Sequence, residues 1–369
     1  MQGGKPQKFL TLPDRTNILD IPQPFDSRLS FKGVRLDHPS PNRSRFILET
    51  ASRIRPDIFL TEFFPLGRLE YLSELLPVIR LLKKQGTRIF ASIGYPYLVD
   101  LPGRHRAHLA SLVPAIIKLY DRILIHTPPG LENTYLHDAL KSGQLRRVYD
   151  NFFSRIAHKT TYTGYVVPHA AQPSPAIRKL MDTAAGTFTI VVSRGGGAVC
   201  PQIITRSILA QKILGNCYRF IIAAGPATTP AEKALFLSCL KKTGSKNVFL
   251  FDYLPELAYC LQHCSASVSM SGYNTAVQLL SFGTPSIIIP YASATSHEAP
   301  NDQLARAALL KDHLDSTVLG YDTLSPQILA HSIQEKCERP RPARPRKSWF
   351  TGKRATSRIL LQEEGRDAQ

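Results

Sequence analysis

No apolar run in this chain approaches the roughly 20 residues that a membrane-spanning helix needs. The longest, at 188–192 and 287–289, are strand-length. The amino terminus, from Met1 to Lys8, lacks the apolar core of a secretory signal. No cysteine precedes Cys200, and the six present follow no regular spacing, which argues against a disulfide framework and for reduced thiols in a cytoplasm. Cys260, His263 and Cys264 share one helical segment, but no second ligand pair with zinc-like spacing accompanies them. A basic front half lacking any aromatic-plus-basic motif argues against nucleic acid as the partner. No repeat at solenoid spacing is present. Acidic residues are scarce, with 28 Asp and Glu against 46 Lys and Arg, for a net charge of +18.

What is present suits a soluble globular protein: 369 residues, 43% hydrophobic and 20% charged, long enough for two domains with full cores. The positive charge is uneven. Residues 1–187 carry +11, residues 188–337 only +2, and the tail from Glu338 onward +5. A basic front half fits a phosphate-bearing substrate or an anionic lipid surface.

Along the chain, short β-rich runs alternate with helical patterns, which argues for mostly parallel sheets covered on both faces. In the front half, strands are expected at 58–61, 88–92 and 122–126, with helices at about 69–84 and 107–120 and short strands at 9–12 and 16–21. Composition shifts after Val167, and residues 169–187 hold two prolines, just after Pro168, and several small residues. The expected organisation is therefore a first domain over 1–168, a linker over 169–187, a second domain over 188–337, a basic Pro/Arg linker over 338–350, and a helix and tail over 351–369. In the second domain the strand 188–193 runs into Arg194-Gly195-Gly196-Gly197. Three consecutive glycines require positive φ or the close approach of a ligand. Thr229-Pro230-Ala231-Glu232 is a capping box with proline in the first turn. The stretch 266–290 reads as strand, tight loop, helix and strand. Gly272 lets backbone approach a ligand, Ser271 and Thr275 offer hydroxyls, and Gly283 closes the helix. Such a loop can hold a phosphate, and it also occurs at βα turns for steric reasons alone.

These segments, taken in order, resemble a known family. The run 188–198, Asp252-Tyr253-Leu254-Pro255-Glu256-Leu257, Ser271-Gly272-Tyr273-Asn274-Thr275 with Gly283-Thr284-Pro285, and Glu298, Asp302, Gln303, Arg306 and Ala307 fall in the order of the C-terminal domain of glycosyltransferase family 28. The whole chain is similar to a bacterial group of predicted glycosyltransferases related to the peptidoglycan N-acetylglucosaminyltransferase, through Pro56 to Arg68 and Thr163-Gly164-Tyr165-Val166 as well. The resemblance implies the GT-B architecture, an α/β fold of two Rossmann-like domains with mostly parallel sheets facing a central cleft. It implies that the donor diphosphate is met by Ser193, Gly195, Gly196, Gly197, Ser271, Gly272, Asn274 and Thr275. Phe251 and Asp252 would stand beside the nucleobase, Gln278 at the ribose, and Asp302 and Gln303 at the sugar. Gln278 replaces the glutamate that relatives use, which bears on uridine preference. A core aromatic at 251 and a plain helix cap at 302–303 are the structural alternatives.

The resemblance also implies a first strand, a glycine- and histidine-containing loop and a helix that have no counterpart before Gly3-Gly4, so a start upstream of Met1, or a remodelled inactive descendant, is expected. Glu62 is then the candidate catalytic base, with a structural carboxylate paired to Arg68 or a backbone N–H as the alternative; His126 is a weaker candidate. The sequence contains no Asp-x-Asp pair, so metal-independent inverting transfer is expected, with no cofactor beyond a nucleotide-sugar donor. The acceptor is unassigned; an anionic membrane surface is the expected setting, and the enzyme is expected in the cytoplasm or at the inner face of the cell membrane. A non-catalytic binding subunit and a sugar-nucleotide 2-epimerase are the alternatives.

Overall fold

The computed structural model describes residues 2–3, 20–21, 41–68, 71–94, 112–131, 135, 143–167, 172–182, 184–196, 199–291, 302–339 and 347–362. Two compact units divide the chain. One takes Met1–Glu132, Leu140–Gly164 and Gly352–Gln369, the other Asn133–Ala139 and Tyr165–Thr351.

The first unit starts with a short parallel pair, β1 (Gln2–Gly3) and β2 (Asp20–Ile21). It continues through α1 (Pro41–Ile54), β3 (Ile58–Glu62), α2 (Leu72–Lys84), β4 (Arg88–Gly94), α3 (Val113–Ile117), β5 (Arg122–His126), α4 (Gly143–Ile156) and β6 (Thr160–Tyr162). Strands β3 to β6 form one parallel sheet in that order. Ile89, Phe90, Ala91 and Ile93 on β4, and Ile123, Leu124 and Ile125 on β5, are fully buried on both faces of the sheet. Near-continuous apolar runs are what a doubly covered parallel sheet requires. Each of these side chains except Ala91 contributes about 1.5–3 kcal/mol by leaving water.

The second unit runs through α5 (Pro175–Met181), β7 (Phe188–Ser193), α6 (Gln202–Leu214), β8 (Tyr218–Ala223), α7 (Pro230–Thr243), β9 (Val248–Phe251), α8 (Leu257–His263), β10 (Ala266–Ser269), α9 (Tyr273–Phe282), β11 (Ser286–Ile288), α10 (Asp302–His313), β12 (Ser316–Val318) and α11 (Pro326–Glu338). Its six parallel strands lie in the order β12-β11-β10-β7-β8-β9. The fourth strand of the unit thus lies beside the first, and the chain winds outward in both directions from that pair. This is the doubly wound Rossmann order, with a topological switch point between β7 and β10. The capping box at α7 forms as expected: Glu232 N–H donates to Thr229 Oγ1 at 3.2 Å, and Thr229 N–H donates to Glu232 Oε2 at 2.8 Å. Gly283 ends α9 in the left-handed conformation.

Unit membership differs from composition in two places. Residues 352–369 group with the first unit. There α12 (Gly352–Gln362) half-buries Ile359 and Leu360, and the Leu360 carbonyl accepts from Arg88 Nη2 at 3.2 Å. Residues 133–139 group with the second, where the Tyr135 hydroxyl donates to Asp312 Oδ2 at 3.0 Å and lies 2.8 Å from His313 Nε2. Side-chain contacts distant in sequence set both, so local composition is silent about them. The helix expected over 107–120 is described as Val113–Ile117, and the strand expected at 9–12 lies outside the described residues.

Candidate functional site

The switch point of the second unit gathers most of the candidate residues. Ser193 and Ser269 pair in register at the carboxyl ends of β7 and β10, so the loops that follow these strands emerge side by side. Open α/β sheets bind ligands in this crevice.

The loop after β7 is held from beneath. Gly195 has φ +68, a conformation that disfavours side chains, and its N–H donates to Ser193 Oγ at 3.2 Å. Gly196 has no such backbone need, and a Cβ built there meets nothing within 4 Å. Its carbonyl accepts from Ala227 N–H at 2.9 Å. Gly197 lies outside the described residues. Arg194 supplies the anchor. Its side chain is wholly buried, and its Nε donates to the Ala224 carbonyl at 2.8 Å. Its Nη atoms donate to the Val199 carbonyl at 3.2 Å, to Thr228 Oγ1 at 2.9 Å, and to Glu232 Oε1 and Oε2 at 2.9 and 3.3 Å. That guanidinium holds the Glu232 carboxyl down at about 2, well below its ordinary value, with the Thr229 hydrogen bonds adding to the shift. One buried cation therefore ties the glycine loop to the loop after β8 and to the first turn of α7.

The loop after β10 is held from the side. Ser271 is fully buried, and its hydroxyl donates to the Gln303 carbonyl at 2.7 Å. Its own carbonyl accepts from Arg306 Nε at 2.6 Å. Gly272 caps α9 at φ −60 and ψ 150, ordinary angles for any residue, and a Cβ there also meets nothing within 4 Å. Its side gives α9 no capping group. The amides of Gly272, Asn274 and Thr275 have no hydrogen-bond partner among the described residues, and they stand at the positive end of a ten-residue helix. Asn274 is exposed, and Thr275 and Gln278 are half-buried one helical turn apart on the same face. Burial raises the Tyr273 hydroxyl well above its ordinary value, and its oxygen is hydrogen-bonded to the Val166 backbone.

Asp302 and Gln303 reach the same place but already have structural partners. Asp302 pairs with Arg306, and Gln303 Oε1 accepts from Tyr291 N–H at 2.9 Å. Phe251 and Asp252 end the outer strand β9. Phe251 is half-buried, and Asp252 is exposed and paired with Lys233 at 2.5 Å. The Asp252 carbonyl accepts from Gly225 N–H at 3.0 Å, which links that strand end to the loop after β8.

In the first unit Glu62 ends β3 with an exposed side chain. It lines a cavity of about 370 Å³ with Leu60, Arg68, Tyr71 and the buried pair Arg43–Glu74, whose Nε–Oε distance is 2.8 Å. Its carboxylate makes no hydrogen bond or ion pair among the described residues. A second group spans the carboxyl ends of β4 to β6. His126 Nε2 lies 2.8 Å from Ser92 Oγ, and Nδ1 lies 2.8 Å from Thr163 Oγ1. With Thr163 donating to the Gly164 carbonyl at 3.0 Å, the tautomer protonated on Nδ1 satisfies both ring contacts. Burial pushes this imidazole down to about 4.

Sequence reasoning gave no role to Arg194 or Arg306, and made Glu232 only part of a helix cap. Arginine immediately before three glycines was the available signal, since a cation beside a tight turn needs a partner; that partner lies in the capping box 38 residues on.

Two parallel α/β units, the second of Rossmann order with glycine loops at its switch point, place the chain in the GT-B class. Residues 201–357 match the model of the glycosyltransferase family 28 C-terminal domain. An uncharacterized glycosyltransferase of Methanosarcina acetivorans is 22% identical over 79% of this chain and 67% of its own length. The UDP-N-acetylglucosamine–N-acetylmuramyl-(pentapeptide) pyrophosphoryl-undecaprenol N-acetylglucosamine transferase of Agrobacterium fabrum is 26% identical over 50% of this chain and 47% of its own. The solved UDP-GlcNAc 2-epimerase of Neisseria meningitidis superposes with a TM-score of 0.50 at 12% identity, covering 90% of this chain and 84% of the other, which speaks to fold alone. Through residues 201–357 the chain is thus related to the glycosyltransferases of family 28, and its fold is of the GT-B type.

Proposed function

We propose that this enzyme moves a hexose-type sugar from a nucleoside-diphosphate sugar, with a UDP-sugar favoured, to an acceptor hydroxyl by metal-independent inverting transfer. The observation that carries the reading is the space before Gly196 and Gly272. Neither glycine needs its special backbone freedom, and a Cβ at either position meets nothing within 4 Å among the described residues. The fold therefore gives no reason for glycine there, whereas a diphosphate drawn up against the backbone amides does.

In this mechanism a base takes the proton of the acceptor hydroxyl, which attacks the anomeric carbon from the face opposite the departing diphosphate. The amides at the start of α9 and in the glycine loop stabilise the charge that grows on the leaving group. Glu62 is the favoured base, exposed and unpaired among the described residues. Gln278 can grip ribose hydroxyls with one donor and one acceptor. The basic first 187 residues (+11) suit an anionic acceptor or setting. A lipid-linked diphosphate, as in the name of the Agrobacterium relative, at the inner face of a cell membrane is the reading adopted. No helix among the described residues is long and apolar enough to cross a membrane.

The test is nucleoside diphosphate release from UDP-N-acetylglucosamine, UDP-glucose and UDP-galactose, with and without a polyprenyl-diphosphate sugar. Acceptor-dependent release supports transfer. Conversion of the donor sugar to its 2-epimer without acceptor would replace transfer by epimerisation, and binding without any turnover would leave a carrier rather than a catalyst.

A further inference from the structure

The loop after β10 carries two features that work against each other. Glycine at 272 leaves room for a ligand, but it also makes the preceding peptide easy to flip. Rotation of the Ser271–Gly272 peptide exchanges the directions of its C=O and N–H, and it carries φ of residue 272 to positive values. A side chain there would resist that change; glycine does not. In one orientation the loop offers an amide hydrogen to an anion, and in the other a carbonyl oxygen that repels it.

Arg306 decides between them. It lies one turn into α10 with a buried side chain, and its Nε donates to the Ser271 carbonyl at 2.6 Å. Across a planar trans peptide the N–H points opposite the C=O, so the Gly272 amide is turned away from Arg306. Asp302, four residues earlier on the same helix, pairs with Arg306 Nη2 and keeps the guanidinium in place. The Ser271 hydroxyl is meanwhile committed to the Gln303 carbonyl at 2.7 Å. The side chain that the motif suggests as a ligand donor is thus used by the fold, and the Gly272 amide is what the loop has left to present.

We infer that Arg306, braced by Asp302, is a positioning residue that holds the Ser271–Gly272 peptide with its amide toward the donor diphosphate. The inference rests on the donor-site reading above. Arg306 reaches the ligand through the peptide plane, and Asp302 acts as its brace. Lysine cannot replace it, because one ammonium lacks the planar fork that spans the carbonyl and the carboxylate together.

The test compares UDP with uridine on the full chain, titrated into wild type, Arg306→Ala and Arg306→Lys, with unfolding midpoints measured in parallel. Loss of an oriented amide weakens only ligands that carry the diphosphate. UDP affinity is expected to fall about tenfold or more in both variants, while uridine affinity stays within about twofold, a split that general loosening of the domain would not produce. Should Arg306→Ala fail to fold, Arg306→Lys, which keeps the charge and much of the volume, gives the same ratio. A folded variant with an unchanged UDP-to-uridine ratio overturns the role of Arg306 alone. A wild-type chain that binds uridine and UDP equally, or neither, overturns the donor-site reading and this inference with it.

Discussion

His126 offers the sharpest energetic prediction, because one titration separates its effect from everything else in the first unit. The imidazole is 6% exposed between Ser92 and Thr163, and burial lowers it from 6.5 to about 4. The unfolded chain therefore binds a proton as the pH falls through 6.5, while the folded chain resists until near 4. Throughout that window the unfolded state holds more protons, so stability falls as the pH falls. At 1.36 kcal/mol for each pKa unit the full effect is about 3 kcal/mol, of which about 2 kcal/mol develops between pH 7.5 and pH 5. The perturbation is His126→Gln, whose amide can still donate to Thr163 and accept from Ser92 but never takes a proton in this range. Urea unfolding followed by far-ultraviolet circular dichroism at pH 7.5, 6.5, 5.5 and 5.0 gives the difference between wild type and variant. That difference should move by about 2 kcal/mol in favour of the variant as the pH drops. A difference that stays constant across the series would refute the reasoning, and would mean that the ring takes its proton without opening the Ser92–Thr163 bridge.

Three further outcomes follow from the same geometry. Glu232→Gln keeps the capping hydrogen bonds but leaves the buried Arg194 charge uncompensated, and should cost about 3 kcal/mol in chemical denaturation at pH 7. The carboxyl titrates near 2 in the folded chain, so wild-type stability from this pair holds above pH 4.5 and is lost as the pH falls towards 2, whereas the variant shows no such component. Glu62→Gln should lower kcat of sugar transfer by about 10²–10⁴-fold with the donor KM little changed, measured by steady-state kinetics. An unaltered kcat would rule Glu62 out as the base. Ser325→Ala removes the cap of α11, where Ser325 Oγ accepts from Ile328 N–H at 3.2 Å, and should lower stability by about 1 kcal/mol with donor affinity unchanged.

The parts of the fold that were legible beforehand are those with a local cause. The strands 188–193 and 266–269 are short β-rich runs, each close to a glycine loop. The Thr229–Glu232 box and Gly283 mark helix ends through hydrogen bonds that close within four residues. The element α11 carried an equally local signal, serine followed by proline at 325–326, yet it was not anticipated; nor were α4, β6 and β12, whose strands are only three residues long. What could not be read locally depends on pairs far apart in the chain. Arg194 meets Glu232, Tyr135 meets Asp312, and Arg88 meets Leu360 across separations of 38, 177 and 272 residues. The site divides in the same way. The glycines at 195, 196 and 272 announce close backbone approach. That the Ser271 side chain faces inward, and that Asp302 and Gln303 brace a loop, depends on how α10 packs, which no motif spacing encodes.

The central claim is that backbone amides at Gly272 and the start of α9 receive the donor diphosphate. Calorimetric titration of UDP and UDP-N-acetylglucosamine into the full chain and its Gly272→Asp variant tests this most directly. Aspartate suits φ −60 and ψ 150, has room for its side chain, and is a better helix cap than glycine. The account predicts an equal or higher unfolding midpoint together with loss of nucleotide affinity by at least about tenfold, roughly 1.4 kcal/mol. Wild type that binds neither ligand, or a variant that binds both as tightly as wild type, would contradict it.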